Sequence, residues 1–535
     1  MNGAQSLFKA LTDAGLDTCF ANPGTSEMQL VYEMGQTKNT RAVLCLEENV
    51  VTGAADGYAR MAGKPAFTLL HVGSGFANGL ANLHNAGRAN TTMVNVVGAN
   101  ATYHQPNFAE HEFINGKILD LARVVSHWAH EAKSASDLGV LGALAARYSR
   151  LGAGKICTVV APTNCHWDPA VAPPVPAPPL ETPKVSPQTI QEMVALLTNG
   201  KKTGILLGSH ALYGDGLELA GRIAAKTGAD LLAETTPSRL ARGEGRVAVD
   251  RIPYLPEQAV PFLQKYAQLI LVGALFPVTT FAYKGKPVIK VPANCQVTAL
   301  ATVDHDILAA LGDLAKAVGA PSQPVTRRTR SHDAPPTGVL TDDAVGQSIG
   351  ILLPENAILV PDSPTTEGAF YLRTEGARSH DYLFGACGGA IGGGFPVGLG
   401  AAVACPDRKT VVFEGDGSGM YTPQTLWSIA REKADVTLVV MKNNSYGILN
   451  IELARVREGD PNEKMLSMLH IDNPSLDWVK LAEAQGVPAT RATTAEEFHA
   501  QFGEAMRNKG PRLIEAQIVQ DLKPAIDAIH QSRVA

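Results

Sequence analysis

Asp416 stands between two glycines at the end of an apolar run, Lys409-Thr-Val-Val-Phe-Glu-Gly-Asp-Gly-Ser418, and 27 positions later a second apolar run ends in Lys442-Asn443-Asn444-Ser445. Both runs read as strands with one helix between them. Oxygen donors at two such strand ends suit a hard divalent cation. Mg2+ takes near-octahedral oxygen ligands, commonly one or two carboxylates with phosphate oxygens. Asp416 can supply the carboxylate, Asn443 a side-chain carbonyl oxygen and Ser445 a backbone carbonyl. Gly415 and Gly417 let the chain come close to a diphosphate, and amides at the start of the following helix can donate to it. Gly-Asp-Gly alone reads equally well as a plain turn; the coupling to Asn443 makes the pair specific.

Three other segments carry candidate chemistry. Leu46-Glu47-Glu48-Asn49 leads into Ala55-Asp56-Gly57-Tyr58-Ala59-Arg60. An acid there, between a strand and a helix, is by itself a helix cap or dipole partner. Gly388-Gly389-Ala390-Ile391-Gly392-Gly393-Gly394-Phe395-Pro396 reads as a glycine-rich helix entry with one core isoleucine. Asp362-Ser363-Pro364-Thr365-Thr366 follows a strand and reads as a capping turn, with hydroxyls and amides that a diphosphate could use.

Taken together, these segments resemble the thiamine-diphosphate enzymes, whose signature is Gly-Asp-Gly followed by Asn. The resemblance implies thiamine diphosphate and Mg2+ as cofactors, with Asp416, Asn443 and Ser445 on the metal and Gly415, Gly417, Ser418, Ser363 and Thr365 near the diphosphate. Family members often have Asn-Asn where this chain has Lys442-Asn443, so Asn444 is not expected to be a ligand. Counting back eight positions from Asp56 assigns Glu48, not Glu47, as the carboxyl that shares a proton with N1′ of the aminopyrimidine. Glu47 is left as a solvated charge, and Asp56 and Arg60 as helix partners. Ile391, 25 residues before Asp416, falls at the position that wedges the cofactor's two rings apart, and the Gly389 carbonyl accepts from its 4′-amino group.

Phe20-Ala-Asn-Pro-Gly-Thr-Ser-Glu27 and Thr68-Leu-Leu-His-Val-Gly-Ser-Gly-Phe-Ala-Asn78 look most like stretches of the benzoylformate decarboxylase group. That likeness implies Thr25 for the substrate carboxylate and His71 for proton movement. A second histidine of that group is replaced here by Thr280, and an aromatic position by Glu452. Both departures make benzoylformate itself a doubtful substrate. Glu452 either favours a polar or cationic substrate or faces solvent. The implied activity is decarboxylation of a 2-oxo acid, with possible carboligation. Acetolactate synthase-like ligation is the second reading, an acyl-CoA lyase the third, and a non-catalytic cofactor-binding regulatory homologue the rival outside catalysis. Leu240-Ala-Arg-Gly-Glu-Gly-Arg246 is only a basic glycine turn, so FAD is not expected.

These residues need strand ends to hold them. At 535 residues the chain is too long for one core, on a prior of roughly 150 residues per domain. Pro169–Pro187 and Val318–Thr341 read as linkers, dividing it into a pyrimidine-binding domain (1–170), a Rossmann-like domain (188–318) and a diphosphate-binding domain (341–535). Leu7, Leu11 and Leu16 mark an opening helix. Strands are expected over 18–20, 42–46, 67–71 and 93–97, over 204–207, 269–272 and 288–291, and over 358–360, 410–413, 437–441 and 513–516. Apolar strands alternating with helices imply three α/β domains with parallel sheets, and ligands at the strands' carboxyl ends.

Forty-six basic against 51 acidic residues argue against nucleic-acid binding. No long uncharged apolar run suggests a membrane span, and seven dispersed cysteines with no signal-like start suggest a cytoplasmic protein. The family resemblance implies a cofactor shared between chains, hence at least a homodimer, with a tetramer as the expected assembly.

Overall fold

The computed structural model describes residues 1–104, 112–173, 178–324, 326–456 and 459–534. The first sheet holds β1 (Thr18–Asn22), β2 (Arg41–Leu44), β3 (Ala66–Leu70), β4 (Met93–Ala99), β5 (Trp128–Glu131) and β6 (Ile156–Pro162), ordered β2-β1-β3-β4-β6-β5 and parallel throughout. The second is built from β7 (Thr203–Leu207), β8 (Asp230–Ala233), β10 (Asp250–Arg251), β11 (Gln268–Val272) and β12 (Gln296–Ala301). The third takes β13 (Ala357–Asp362), β14 (His380–Tyr382), β15 (Thr410–Gly415), β16 (Val436–Lys442), β17 (Ala489–Ala492) and β18 (Arg512–Gln517), with β9 (Leu240–Arg242) added at its edge. Buried strands such as β3, β4, β6 and β16 are apolar on both faces because helices cover both sides. Three α/β units with parallel sheets are therefore present, as the sequence pattern implied.

Several local expectations need correction. Residues 288–291 form no strand: Val288 and Ile289 are each about half exposed, and the stretch makes one isolated bridge, Ile289 to Val278. Pro287 and Pro292 flank it and cannot donate to a ladder. Leu16 lies beyond the opening helix, which ends at Asp13 before Gly15 turns left-handed (φ 80°). The segment after Val318 is better anchored than its composition suggested. Arg327 makes two hydrogen bonds to Glu218, at 3.0 and 2.7 Å, and Arg330 donates to the carbonyl of Ile351 at 2.8 Å. β9 crosses from the middle unit to pair antiparallel with β14, so the second and third units share a sheet edge.

The first and third units meet where helix Glu48–Ala62 lies on helix Gly394–Ala404. Glycines permit the contact. A Cβ on Gly57 would overlap the Val397 carbonyl, and one on Gly400 would overlap the carbonyl of Ala54. Neither obstacle is a flexible side-chain end, so neither can move aside cheaply. Arg60, on the same helix, pairs with buried Asp56 and donates to the carbonyls of Ser238 and Phe384 at 3.0 and 2.9 Å. One side chain thus ties all three units, and the expected helix partnership of Asp56 and Arg60 is present.

Gly400→Ala is expected to lower the thermal midpoint by several degrees, the effect of roughly 1–3 kcal/mol of overpacking. Gly35→Ala, in an open helical position with nothing within 4 Å of the new methyl, is the control. It should be neutral or stabilising by up to about 1 kcal/mol. Differential scanning fluorimetry of the two variants checks the contrast.

Candidate active site

The predicted residues fall into two sets, each at the carboxyl end of a parallel sheet. In the first unit, Glu48 opens helix Glu48–Ala62 but does not cap it. Glu47 is the N-cap, its carboxylate accepting from the Val50 amide at 3.1 Å, so the expectation that Glu47 is a solvated charge is corrected. Freed from capping, Glu48 is buried and accepts from Asn78 Nδ2 at 3.1 Å. A Cβ on Gly75 would strike Glu48 Oε1 on one side and lie 3.3 Å from His71 Cβ on the other. Glu48 and His71 are therefore close neighbours across a glycine.

His71 follows β3 as the N-cap of helix Val72–Asn78 and carries a partner that the sequence alone did not reveal. Its Nδ1 lies 2.7 Å from Oε2 of Glu27, which is fully buried and also accepts from the Gly24 amide at 2.8 Å. Glu27 thus holds both the Asn22-Pro23-Gly24-Thr25 turn and the imidazole. Gly24 has to be glycine, because a Cβ there would overlap the ring. Thr25 follows immediately, exposed, at the first position of a short 3-10 turn. The only sequence signal for Glu27 was its place three residues after Gly24, the spacing of a capping box.

In the third unit, Asp362, Gly415 and Lys442 end β13, β15 and β16 side by side. Asp416 is buried, with Oδ1 accepting from Gly417 N at 3.0 Å and Oδ2 from Asn444 N at 2.7 Å. Burial pushes its carboxyl up to about 6 despite those bonds, a site where a bound cation would favour the ionised form. The amide of Asn443 is fixed by Gln520, which accepts from Nδ2 at 2.7 Å, and its Oδ1 accepts from Ser445 N at 2.9 Å with a lone pair to spare. Asn444 is left-handed (φ 55°), and its side chain is used by Ser475. The Lys442 departure is harmless to a metal. Its ammonium turns away to the Leu476 carbonyl and, at 3.3 Å, to Glu515. Among the described residues no three His, Cys, Asp or Glu side chains converge; one carboxylate with carbonyl oxygens matches a Mg2+ completed by diphosphate oxygens.

Asp362 does more than cap. Its Oδ2 accepts from the amides of Gly392, Gly393 and Gly394 at 2.9, 2.8 and 3.1 Å, which fixes the loop carrying Ile391. Asn85, from the first unit, holds the other side of that loop through Gly388 N and both polar groups of Ala390. Gly389 between them is left-handed (φ 91°), has open space beside it, and offers a carbonyl with no partner among the described residues. Ser418 gives its hydroxyl to Glu414 and the Asp362 carbonyl, so its amide is what remains for a diphosphate. Ser363 accepts from Thr366 at 2.7 Å, while Thr365 sits against Gly447. Glu414 and Asp362 are both held well above the usual carboxylate range by burial.

Two glycine-lined half-sites of this kind fit thiamine diphosphate, and sequence comparison agrees. The N-terminal TPP-binding domain of thiamine pyrophosphate enzymes matches residues 1–121, and the C-terminal TPP-binding domain matches 366–516. A Mycobacterium tuberculosis protein, named as a candidate acetolactate synthase large subunit IlvX, is 45% identical across 97% of this chain and 99% of its own length. The chain belongs to the thiamine pyrophosphate enzyme family. Benzoylformate decarboxylase of Pseudomonas aeruginosa is 27% identical over 97% of this chain and 98% of its own. The solved thiamine diphosphate-dependent 4-hydroxybenzoylformate decarboxylase of Rhodococcus jostii RHA1 shares the fold, with a TM-score of 0.85 at 24% identity, over 97% of this chain and 100% of that one. As a member of this family the chain is a thiamine-diphosphate-dependent enzyme. Among the described residues no helix is long and apolar enough to cross a membrane.

Family membership leaves the two departures to explain. Glu452 lines a cavity of about 600 Å3 with Phe281, Tyr283, Leu449, Met465 and Met468. Its charge is taken by Arg455 Nε at 3.0 Å, and Arg455 makes two further bonds to Glu257, at 2.6 and 3.0 Å. Glu452 is thus ion-paired and partly exposed. Thr280 is exposed. Among the described residues no hydrogen bond or ion pair joins Glu48 or His71 to the Asp416–Asn443 set.

Because the folded Asp416 binds its proton more tightly than an unfolded one, its contribution to the stability of the cofactor-free protein, read as the difference from Asp416→Asn, should fall as pH rises from about 4 to about 6. Metal must displace that proton, so the apparent Mg2+ affinity of the protein–cofactor mixture should weaken as pH drops below about 6. Calorimetric titration at several pH values checks this; Asp416→Asn should remove most of the dependence.

Proposed function

We propose that the chain is a 2-oxo acid decarboxylase in which Mg2+, bound by Asp416, Asn443 and the Ser445 carbonyl, anchors thiamine diphosphate. The observation that carries the choice is the Glu27–His71 pair beside Glu48, a proton-handling group next to the acid that activates the cofactor. Bound thiamine diphosphate supplies a carbon nucleophile and an electron sink for the departing carboxylate. Glu48 shares a proton with N1′ of the aminopyrimidine, and Asn78 holds its other oxygen. Ile391 and the Gly389 carbonyl orient the rings; Asp362 and Asn85 keep their loop in place. Thr25 meets the substrate carboxylate. Glu27 accepts a hydrogen bond from Nδ1–H of His71, leaving Nε2 as the nitrogen that takes up a proton and, once protonated, gives it at the product carbon. The apolar cavity starting at Leu449 gives room for the substrate side chain.

Carboligation in the acetolactate synthase manner is the second reading, supported by the name of the 45%-identical relative. A shared site requires at least a dimer, and a tetramer is the proposed assembly.

The test is CO2 release from a panel of 2-oxo acids, with coupled products measured in parallel. Glu48→Gln should lower kcat by about 10²–10⁴-fold while cofactor binding persists. A Glu48→Gln enzyme with full activity refutes the mechanism, and ligated product in place of aldehyde selects the second reading. Glu27→Gln should cost about 10–100-fold in kcat with KM little changed. The pH–rate profile should also change, with partial rescue by Glu27→Asp; a profile identical to wild type would leave Glu27 a turn-capping residue only.

A further inference from the structure

At the end of the third sheet opposite its glycine loops lies a second recess. It opens where β13, β15, β16 and β18 begin, against helix Gly214–Thr227 of the middle unit, and has a volume of about 640 Å3. Six strand residues separate it from the loops of Asp362 and Asp416, about 20 Å. It is therefore distinct from the candidate active site.

The wall is cationic in a chain of net charge −5, with Arg239, Arg246, Arg408, Lys409, Arg507 and Lys509 against four carboxylates. Internal pairing uses only part of that charge. Arg239 and Arg408 share the single carboxylate of Asp381, at 2.8 and 2.7 Å, and Lys409 pairs with Asp435. The side chains of Arg246, Arg507 and Lys509 meet no partner among the described residues. Arg246 Nε is in addition buried. A buried guanidinium donor without an acceptor is unfavourable, so the position favours an arriving anion. Helix Gly214–Thr227, 14 residues long, starts at the rim through Gly214, and no side chain caps its first amides. Asp215, the one acid of that turn, does not line the recess.

We propose that this recess binds a nucleoside diphosphate. The cations outnumber the carboxylates by two, and the guanidinium groups of Arg246 and Arg507, which have no side-chain partner among the described residues, match the charge and planar acceptor geometry of a diphosphate. The Arg239 guanidinium, 4.5 Å over the Tyr213 ring, and Met506 provide the flat, partly apolar wall for a base, and the volume lies within the usual range for such ligands. The sequence showed only a basic glycine turn here because Arg246 meets Arg507 and Lys509 through the fold, across some 260 residues of chain.

Calorimetric titration of the protein saturated with thiamine diphosphate and Mg2+ tests the proposal, with ADP, inorganic diphosphate and adenosine as probes. ADP is expected to bind saturably, one per chain, and to weaken with added salt. The exposed double variant Arg507→Gln/Lys509→Gln should bind ADP at least about tenfold more weakly, as should Arg246→Gln, with decarboxylation unchanged. No saturable ADP binding below about 1 mM, or equal binding by wild type and the double variant, overturns the proposal. Inorganic diphosphate binding as tightly as ADP overturns the nucleotide assignment.

Discussion

Everything in this molecule depends on a backbone-to-backbone contact between helices Glu48–Ala62 and Gly394–Ala404. Gly57 and Gly400 leave no room for a methyl group, so the two helices meet more closely than side chains would allow. The first helix begins with Glu48 and the second follows directly on the loop of Gly389 and Ile391. A seam with no slack fixes how the first sheet's catalytic edge and the third sheet's cofactor loop are disposed in one chain. Arg60, buried at the same seam, extends the constraint to the middle unit through Ser238.

Buried carboxylates then do local work that glycines make possible. Asp362 gathers three consecutive amides and so gives the Ile391 loop one conformation. Glu27 gathers an amide and an imidazole, fixing Thr25 and His71 relative to each other. Asp416 accepts two amides, yet is still held at about 6 by burial, which keeps it poised for a cation. In each case the acid is removed from water and its partners are main-chain or ring N–H groups, so the geometry is stiff.

Much of this was legible in the sequence where a residue acts through its neighbours along the chain. Asp416, Asn443 and the strands before them follow from spacing and apolar runs, and family likeness assigned Glu48 over Glu47. In the structure Glu47 takes the capping duty, and Glu48 is buried without it. What the sequence hid depends on contacts made in space. β9 is three residues long and becomes a strand only because β14 offers an edge. Residues 288–291 have strand-like composition but lie between two prolines, with Val288 and Ile289 left about half exposed. Glu27 looks like any acid in a turn until His71, 44 positions away, arrives beside it. Glu452 carries a charge whose meaning is set by Arg455 and, through it, by Glu257.

No hydrogen bond or ion pair among the described residues joins Glu48 to the Asp416 set, and the proposed function requires that one cofactor touch both. Mixed assembly measures this most directly. Glu48→Gln and Asp416→Asn chains, each inactive alone, are unfolded together, refolded with cofactor and assayed for CO2 release. If the site is shared between chains, random pairing should restore about a quarter of the wild-type activity, because half of the dimers then carry one intact site of two. A mixture as inactive as its parents would contradict a shared site.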